Sequence, residues 1–268
     1  MENKPKISII LPTYNQAHYL PEALEAIFNQ TYSDFELIVV NDGSTDLTSN
    51  VLNEYKKKLA FTVIEQENQG LPRALNKGFS KARGTYFTWT STDNITLPTM
   101  LEKLNSALDS EPSIGVVYAD WYFIDKSGKT ISLYKTLDYD RYLLLYQNYV
   151  HCCFLFRKEC MQRVGNYDPE YIYGEDWEFW IRVSRYFTMK HVPEPLYKYR
   201  IHPQSMTTEL LQGTAKQKIN EKEFLMRMKH RSLIAWYYSK IKWRLLMLKL
   251  GYDPRKLWLD AINSYRIS

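Results

Sequence analysis

Four times within the first 110 residues an apolar run breaks at a polar turn and gives way to apolar residues at helical spacing, and no other feature of the sequence restricts the fold as much. Ile7 to Leu11 is closed by Pro12 and followed by His18 to Gln30, where Leu20, Leu24, Ile27 and Phe28 recur with the helical period. Phe35 to Val40 leads through Asp42-Gly43-Ser44-Thr45-Asp46, a turn with helix-start residues, into Leu47 to Lys58. Phe61 to Glu65 precedes Leu71 to Ala82, and Tyr86 to Thr90 precedes Pro98 to Leu108. Strands alternating with helices need crossover connections. This predicts an α/β, Rossmann-like architecture with a mostly parallel central sheet and helices on both faces. Ligands of such sheets bind beyond the carboxyl ends of the strands. Function is therefore expected on the loops after Leu11, Val40, Ile64 and Thr90.

The rhythm changes after Ser110. Gly115 to Ile124 reads as a strand, Lys126-Ser127-Gly128-Lys129 as a tight turn, and Thr130 to Tyr134 as the returning strand. Aromatic and β-branched residues then dominate as far as His202. Residues 1–110 are thus expected to form one half of a domain, 111–213 a less regular half that completes the site, and 214–268 a tail. Helical apolar spacing over Phe224 to Leu250 stops at Gly251, with Pro254 just beyond.

The net charge of +5 is unevenly placed: from Thr214 onward there are 13 basic and 4 acidic residues, about +9, leaving 22 basic and 26 acidic before it, about −4. The tail also carries Trp236, Tyr237, Tyr238, Trp243 and Trp258. A basic stretch interleaved with aromatics suits an anionic membrane surface, nucleic acid or an acidic partner, and a solvated helical hairpin packed on the body suits it equally. Three cysteines, Cys152, Cys153 and Cys160, cannot all pair, and the opening Met-Glu-Asn-Lys-Pro-Lys has no signal-like apolar stretch, so reduced thiols and a cytoplasmic setting are expected. No apolar run reaches the roughly 18 residues a bilayer-spanning helix needs.

Several residues on these loops can carry chemistry. Asp42 follows an apolar strand, where a carboxylate can accept from a base N–H or ribose hydroxyls, or simply cap the turn. Pro12-Thr13-Tyr14-Asn15 ends the first strand, where the Tyr14 ring is suited to stacking on a base or ribose and a plain strand-ending loop explains the same residues. Neither the Gly-x-Gly-x-x-Gly fingerprint nor the Gly-x-x-x-x-Gly-Lys loop is present, which argues against ordinary dehydrogenases and nucleotide hydrolases. Ser91-Thr92-Asp93-Asn94 offers short oxygen-bearing side chains to a hard cation and its diphosphate, and an Asx turn would explain the same residues. Arg73 can reach a base or diphosphate from the turn after the third strand, or lie on a solvated helix face. Glu175, Asp176 and Trp177 begin a helix in an aromatic context, where burial would raise a carboxyl pKa and make it a better proton acceptor. Acids at helix starts are also common for electrostatic reasons alone. His202 stands on a further loop, able to touch a metal or diphosphate or to serve the fold.

Taken together, these residues resemble the family 2 inverting glycosyltransferases of the GT-A fold. The resemblance rests on Ser8-Ile9-Ile10-Leu11-Pro12-Thr13-Tyr14-Asn15, on Gln30-Thr31-Tyr32, and on Glu36 to Asp46 with its Asn41-Asp42-Gly43-Ser44 turn. Asn68-x-Gly70 with Ala74-Leu75-Asn76-x-Gly78 and Gly84-x-Tyr86, then Gly174-Glu175-Asp176 and His202-x-x-Ser205, extend it to about Thr207. It implies a nucleotide-sugar donor, commonly a UDP-sugar, bound by Pro12, Thr13, Tyr14, Asn15, Asp42, Arg73 and Thr92. It also implies Mn²⁺ or Mg²⁺ at Asp93, and Asp176 as catalytic base in a single displacement that inverts the anomeric carbon. Ser91, Asn94, Glu175, Trp177 and His202 are expected to line the rest of the site. The acceptor would be a glycan or lipid-linked sugar in cell-surface polysaccharide assembly, with the tail peripheral on the inner membrane surface and no nucleic acid involved. The sequence departs from the family's Asp-any-Asp metal motif, which aligns with Ser91-Thr92-Asp93, so that its first carboxylate is a serine. That departure weakens the expectation of metal and leaves a non-catalytic nucleotide-sugar-binding protein as the rival reading.

Overall fold

A computed structural model describes residues 4–206, 208 and 233–250. The four apolar runs form β1 (Ile7–Thr13), β2 (Phe35–Asp42), β3 (Thr62–Gln66) and β4 (Tyr86–Trp89), all mutually parallel in the order β3-β2-β1-β4. The intervening helices are α1 (Leu20–Phe28), α2 (Thr48–Lys56) and α3 (Leu71–Phe79), and α4 (Met100–Asp109) follows β4 and the two-residue strand β5 (Ile95–Thr96). The expected segments and the observed ones differ by a few residues at their ends, chiefly because the last expected residues of α1, α2 and α3 close in i→i−3 turns instead of continuing the helix.

The second half extends the same sheet with a different pattern. β6 (Ile114–Ile124) turns back into β7 (Thr130–Tyr134), while β8 (Phe154–Arg157) inserts antiparallel between β4 and β6. β9 (Thr188–Arg200) then runs parallel to β6 and pairs with β5 at the far edge. The sheet therefore reads β3-β2-β1-β4-β8-β6-β9-β5, with β7 branching from β6. The helices of this half are α5 (Arg141–Leu144), α6 (Lys158–Val164) and α7 (Glu175–Val183).

Strand side chains alternate between faces, and each face builds its own core. Ile9, Leu11, Leu37 and Val39 pack with Leu20, Leu24, Leu52 and Leu104 from α1, α2 and α4. Ile10, Ile38 and Val40 pack on the opposite side with Leu75 of α3, Met161 of α6, and Phe179 and Trp180 of α7. Strands buried on both faces lose the polar-apolar alternation of a half-exposed sheet, which is why β1 and β2 read as uninterrupted apolar runs.

Of the expected tail helix, Leu233–Leu250 is described and is labelled α8 here. Residues 209–232 and everything from Gly251 onward, including the expected stop at Gly251 and Pro254, lie outside the described residues. Trp243 of α8 is buried against the second core, its ring 5.5 Å from that of Tyr146, and Lys242 bonds Asp140, the N-cap of α5. Among the described residues no helix is long and apolar enough to cross a membrane.

Candidate active site

The parallel strands deliver four loops to one edge of the sheet, and short polar side chains tie each to the next. Thr92 Oγ1 donates to the carbonyl of Pro12 at 3.0 Å, joining the loop after β4 to the loop after β1. Asn15, held at φ 52°, donates its amide to Ser44 Oγ at 3.0 Å and accepts the Thr45 amide at 2.8 Å on its own Oδ1. Asp42 reaches the third loop: Oδ1 accepts from Gln66 Nε2 at 2.6 Å and from the Gln69 amide at 2.9 Å, and Oδ2 accepts the Gly70 amide at 2.9 Å. Gly43 permits the approach, since at φ +77° a Cβ there would sit 2.6 Å from the backbone nitrogen of Asn68. The Tyr14 ring stands at this edge, 48% exposed.

Asp93 lies where the loop after β4 meets the end of β9. Its Oδ2 is 3.0 Å from His202 Nε2, and its backbone carbonyl accepts from Arg200 Nε at 2.8 Å. Arg200 is 2% exposed, bonds Glu22 and the carbonyls of Asp125 and Lys126, and lies over the Tyr19 ring. A guanidinium buried this fully fixes the backbone at Asp93 through several directed donors. Asp93 Oδ1, His202 Nδ1 and Thr13 Oγ1, which gather at this edge, are three of the buried side-chain atoms without a hydrogen-bonding partner among the described residues. Buried polar atoms are ordinarily satisfied, so orphaned ones mark places where a bound group completes the structure. No cluster of three or more His, Cys, Asp or Glu able to hold a metal occurs among the described residues. The protein therefore offers a cation one free carboxylate oxygen and an imidazole nitrogen. That set fits a hard divalent ion whose other ligands are diphosphate oxygens and water.

Asp176 approaches from the second half, on the first turn of α7. Gly174 caps that helix in the left-handed region at φ 83°, which turns the chain so that Glu175 and Asp176 enter the helix at its positive end. Asp176 Oδ1 accepts the Trp177 amide at 2.7 Å, and Oδ2 accepts Asn148 Nδ2 at 2.8 Å. Burial pushes the Asp176 carboxyl above the ordinary range, while these two donors pull it back. Glu175 is pushed much higher, by burial and then by the charge of Asp176 beside it. Half-buried Cys152 connects the two acidic centres: after desolvation and Cys153, the charges of Asp176 and Asp93 both raise its thiol.

The structure thus brings Pro12, Thr13, Tyr14, Asn15, Asp42, Ser91, Thr92, Asp93 and His202 onto interlinked loops, with Asp176 and Glu175 arriving on α7. Two expected residues have their side chains engaged elsewhere, and Arg73 takes the solvated helix face. Trp177 is 6% exposed and its indole N–H donates to the Leu144 carbonyl at 2.6 Å, because the helical period turns position 177 into the aromatic core. Asn94 Oδ1 accepts the Arg200 amide at 2.8 Å, closing the junction with β9. Arg73 is exposed on the first turn of α3, its guanidinium 3.4 Å from the Gln69 carbonyl, beside a groove of about 430 Å³ flanked by Gln66, Gln69 and Lys77. Asn148 and Arg200 were invisible to motif reasoning. The first bonds across 28 residues and the second across 107, and neither sits in a pattern that signals its partner.

This arrangement has relatives. In the solved structures, the mannosyltransferase PcManGT of Pyrobaculum calidifontis, in complex with GDP-Man and Mn²⁺, superposes with a TM-score of 0.61 at 18% identity, over 99% of this chain and 86% of its own. S. aureus TarS 1-349 in complex with UDP-GlcNAc gives 0.64 at 20% identity, over 75% of this chain and 60% of the TarS chain. The fold is that of the GT-A glycosyltransferases. In sequence, residues 8–165 match Glycosyl transferase family 2, and an uncharacterized glycosyltransferase of Rickettsia prowazekii is 32% identical over 77% of this chain and 67% of its own length. One of Haemophilus influenzae is 33% identical over 75% and 67%. The chain belongs to glycosyl transferase family 2.

Proposed function

We propose that the protein transfers a sugar from a nucleoside-diphosphate donor to a hydroxyl of a glycan or lipid-linked acceptor, with inversion at the anomeric carbon. The observation that carries this reading is the Asp176 carboxylate, desolvated enough to be a good proton acceptor and held at both oxygens by fixed donors. Asp176 takes the acceptor proton as that oxygen attacks, in a single displacement that needs no covalent intermediate. The β1 and β2 loops bind the nucleotide: Tyr14 offers its exposed ring, and Asp42, three of whose roughly four acceptor positions are used within the loops, offers the remaining one on Oδ2. Arg73 lines the neighbouring groove together with Gln66 and Gln69, the two residues that bond Asp42. Asp93 and His202 would hold Mn²⁺ or Mg²⁺ together with the diphosphate. A bound divalent ion would neutralise charge on the leaving nucleotide.

A UDP-sugar is the proposed donor; TarS was solved with UDP-GlcNAc and PcManGT with GDP-Man, so both belong in the test. A panel of nucleotide sugars with Mn²⁺, scored by release of nucleoside diphosphate, should single out one donor, with Asp176→Asn lowering turnover by about 10²- to 10⁴-fold and leaving donor binding intact. Donor binding with neither transfer nor hydrolysis would favour a nucleotide-sugar-binding protein instead. The setting we propose is the cytoplasmic face of an anionic membrane in cell-surface polysaccharide assembly. In support, α8 buries Trp243 on the body while Ile241, Leu245 and Leu248, spaced along one face, are 48%, 61% and 80% exposed beside Arg244 and Lys249. No acidic residue occurs between Phe224 and Tyr252. An apolar stripe flanked by cations is what an interfacial helix presents to anionic lipid.

A further inference from the structure

Two carboxyls stand side by side at the start of α7, and the chemistry needs one of them to be an ionised base aimed into the site. Asn148, on the loop between α5 and β8, differentiates them. Its Nδ2 donates to Asp176 Oδ2 at 2.8 Å, and Glu175 receives no side-chain donor among the described bonds. The Asn148 side chain is itself oriented, because its Oδ1 accepts the amides of Val150 at 3.2 Å and His151 at 3.4 Å. That turn is completed by His151 in the left-handed region at φ 49°, a conformation a non-glycine residue adopts at some cost. The amide therefore has one orientation available, with its donor end toward Asp176.

We propose that Asn148 is a positioning residue for the catalytic base: its amide fixes the Asp176 carboxylate and makes that group, and not Glu175, the one that receives the acceptor proton. This rests on the reading of Asp176 as base. The physical argument is a competition within the pair. Two adjacent carboxyls, Glu175 buried and Asp176 half-buried, cannot both ionise cheaply, so the negative charge goes to the less buried one, which has a side-chain donor besides its backbone donors. Asp176 has the Asn148 amide on one oxygen and the Trp177 N–H on the other, whereas Glu175, more deeply buried, receives backbone donors alone and keeps the proton. The other titratable groups acting on Asp176 are Cys152, on the loop after Asn148, and Tyr167, on the loop before α7. Burial holds both in their neutral forms at physiological pH. Arg182, the nearest cation of α7 to this cluster, is engaged with Glu178. Among the described residues, the Asn148 donor is thus the one side-chain bond to Asp176 that favours its charged form.

Asn148→Asp keeps the oxygen that accepts the Val150 and His151 amides and replaces the donor with an acceptor, whereas Asn148→Ala removes both. Protein carrying aspartate labelled with ¹³C at the carboxyl carbon reports the titration of Asp176 without any substrate, assigned by the signal lost in Asp176→Asn. The midpoint should rise by about one pH unit in Asn148→Ala, a tenfold change in ionised fraction, and further in Asn148→Asp. Turnover of UDP-GlcNAc or GDP-mannose with Mn²⁺ should show the acid limb of kcat moving up with it while the donor KM stays within about twofold, since the donor lies on the other loops. An unmoved carboxyl midpoint in either variant that folds, at wild-type melting temperature, overturns the proposal. Near wild-type turnover in Asp176→Asn would sink the base reading alone and leave the titration result standing.

Discussion

A carboxylate acquires its role from what surrounds it, and the acidic residues of this site divide accordingly. Asp42 ties the loops together, Asp93 pairs one oxygen with His202 Nε2 and keeps the other orphaned, and Asp176 is desolvated yet doubly bonded. Removing the orphaned oxygen tests the cation site directly: Asp93→Ala should abolish the Mn²⁺-dependent part of UDP affinity in calorimetry while leaving the metal-free part within about twofold, and an unchanged Mn²⁺ effect would exclude Asp93 as ligand. Glu175 makes a prediction of opposite sign to the usual acid. Its carboxyl pKa is raised in the fold, so the fold disfavours its charged form, and the destabilisation grows as pH rises from the unfolded value of about 4.3 toward the folded one. Glu175→Gln should therefore melt higher than wild type at pH 7, with the difference vanishing below about pH 4. At this scale the sequence revealed the acids but not their donors: Asp176 was visible as a helix-start acid in aromatic company, whereas Asn148 is an ordinary loop asparagine until the fold brings it to α7.

Elements explain why these residues hold still. Helix α7 buries Phe179 and Trp180 in the second core and anchors its polar side through Arg182, whose Nε and Nη2 bond both oxygens of Glu178 at 2.9 and 2.7 Å. The same guanidinium donates to the carbonyls of Val164 and Asn166, fastening the end of α6 to α7. Glu178 is 1% exposed in its side chain, so Arg182→Ala would strand a buried charge. We expect a loss of about 3 kcal/mol or more in urea unfolding, and a loss under 1 kcal/mol would mean the pair is solvated. The elements of the first half were legible because β1, β2 and β4 are short apolar runs bounded by turn residues. The second half was less so, for physical reasons. β8 joins the sheet between strands remote in sequence, and β9 carries Pro193 and Pro195 through a register shift opposite Asp120. A strand that keeps its pairing across two prolines leaves no alternation for sequence reasoning to find.

The whole molecule is one sheet with two manners of assembly: a parallel half that delivers loops in sequence, and a mixed half that returns Asp176, Asn148 and His202 to the same edge. Helix α8 rests on the body through Trp243, while its Ile241, Leu245 and Leu248 are exposed. Pairing Leu245→Asp with Leu248→Asp should reduce co-sedimentation with phosphatidylglycerol vesicles at least tenfold at low salt without altering donor turnover in solution, and full retention would exclude α8 as the lipid contact. One consequence of the loop ties extends to the energetics of recognition. Backbone amides of Asn15, Thr45, Gln69 and Gly70 are already committed to side-chain acceptors before any nucleotide arrives. The ordering entropy of that mouth is lost during folding rather than on binding, so more of the contact energy with a donor appears as affinity.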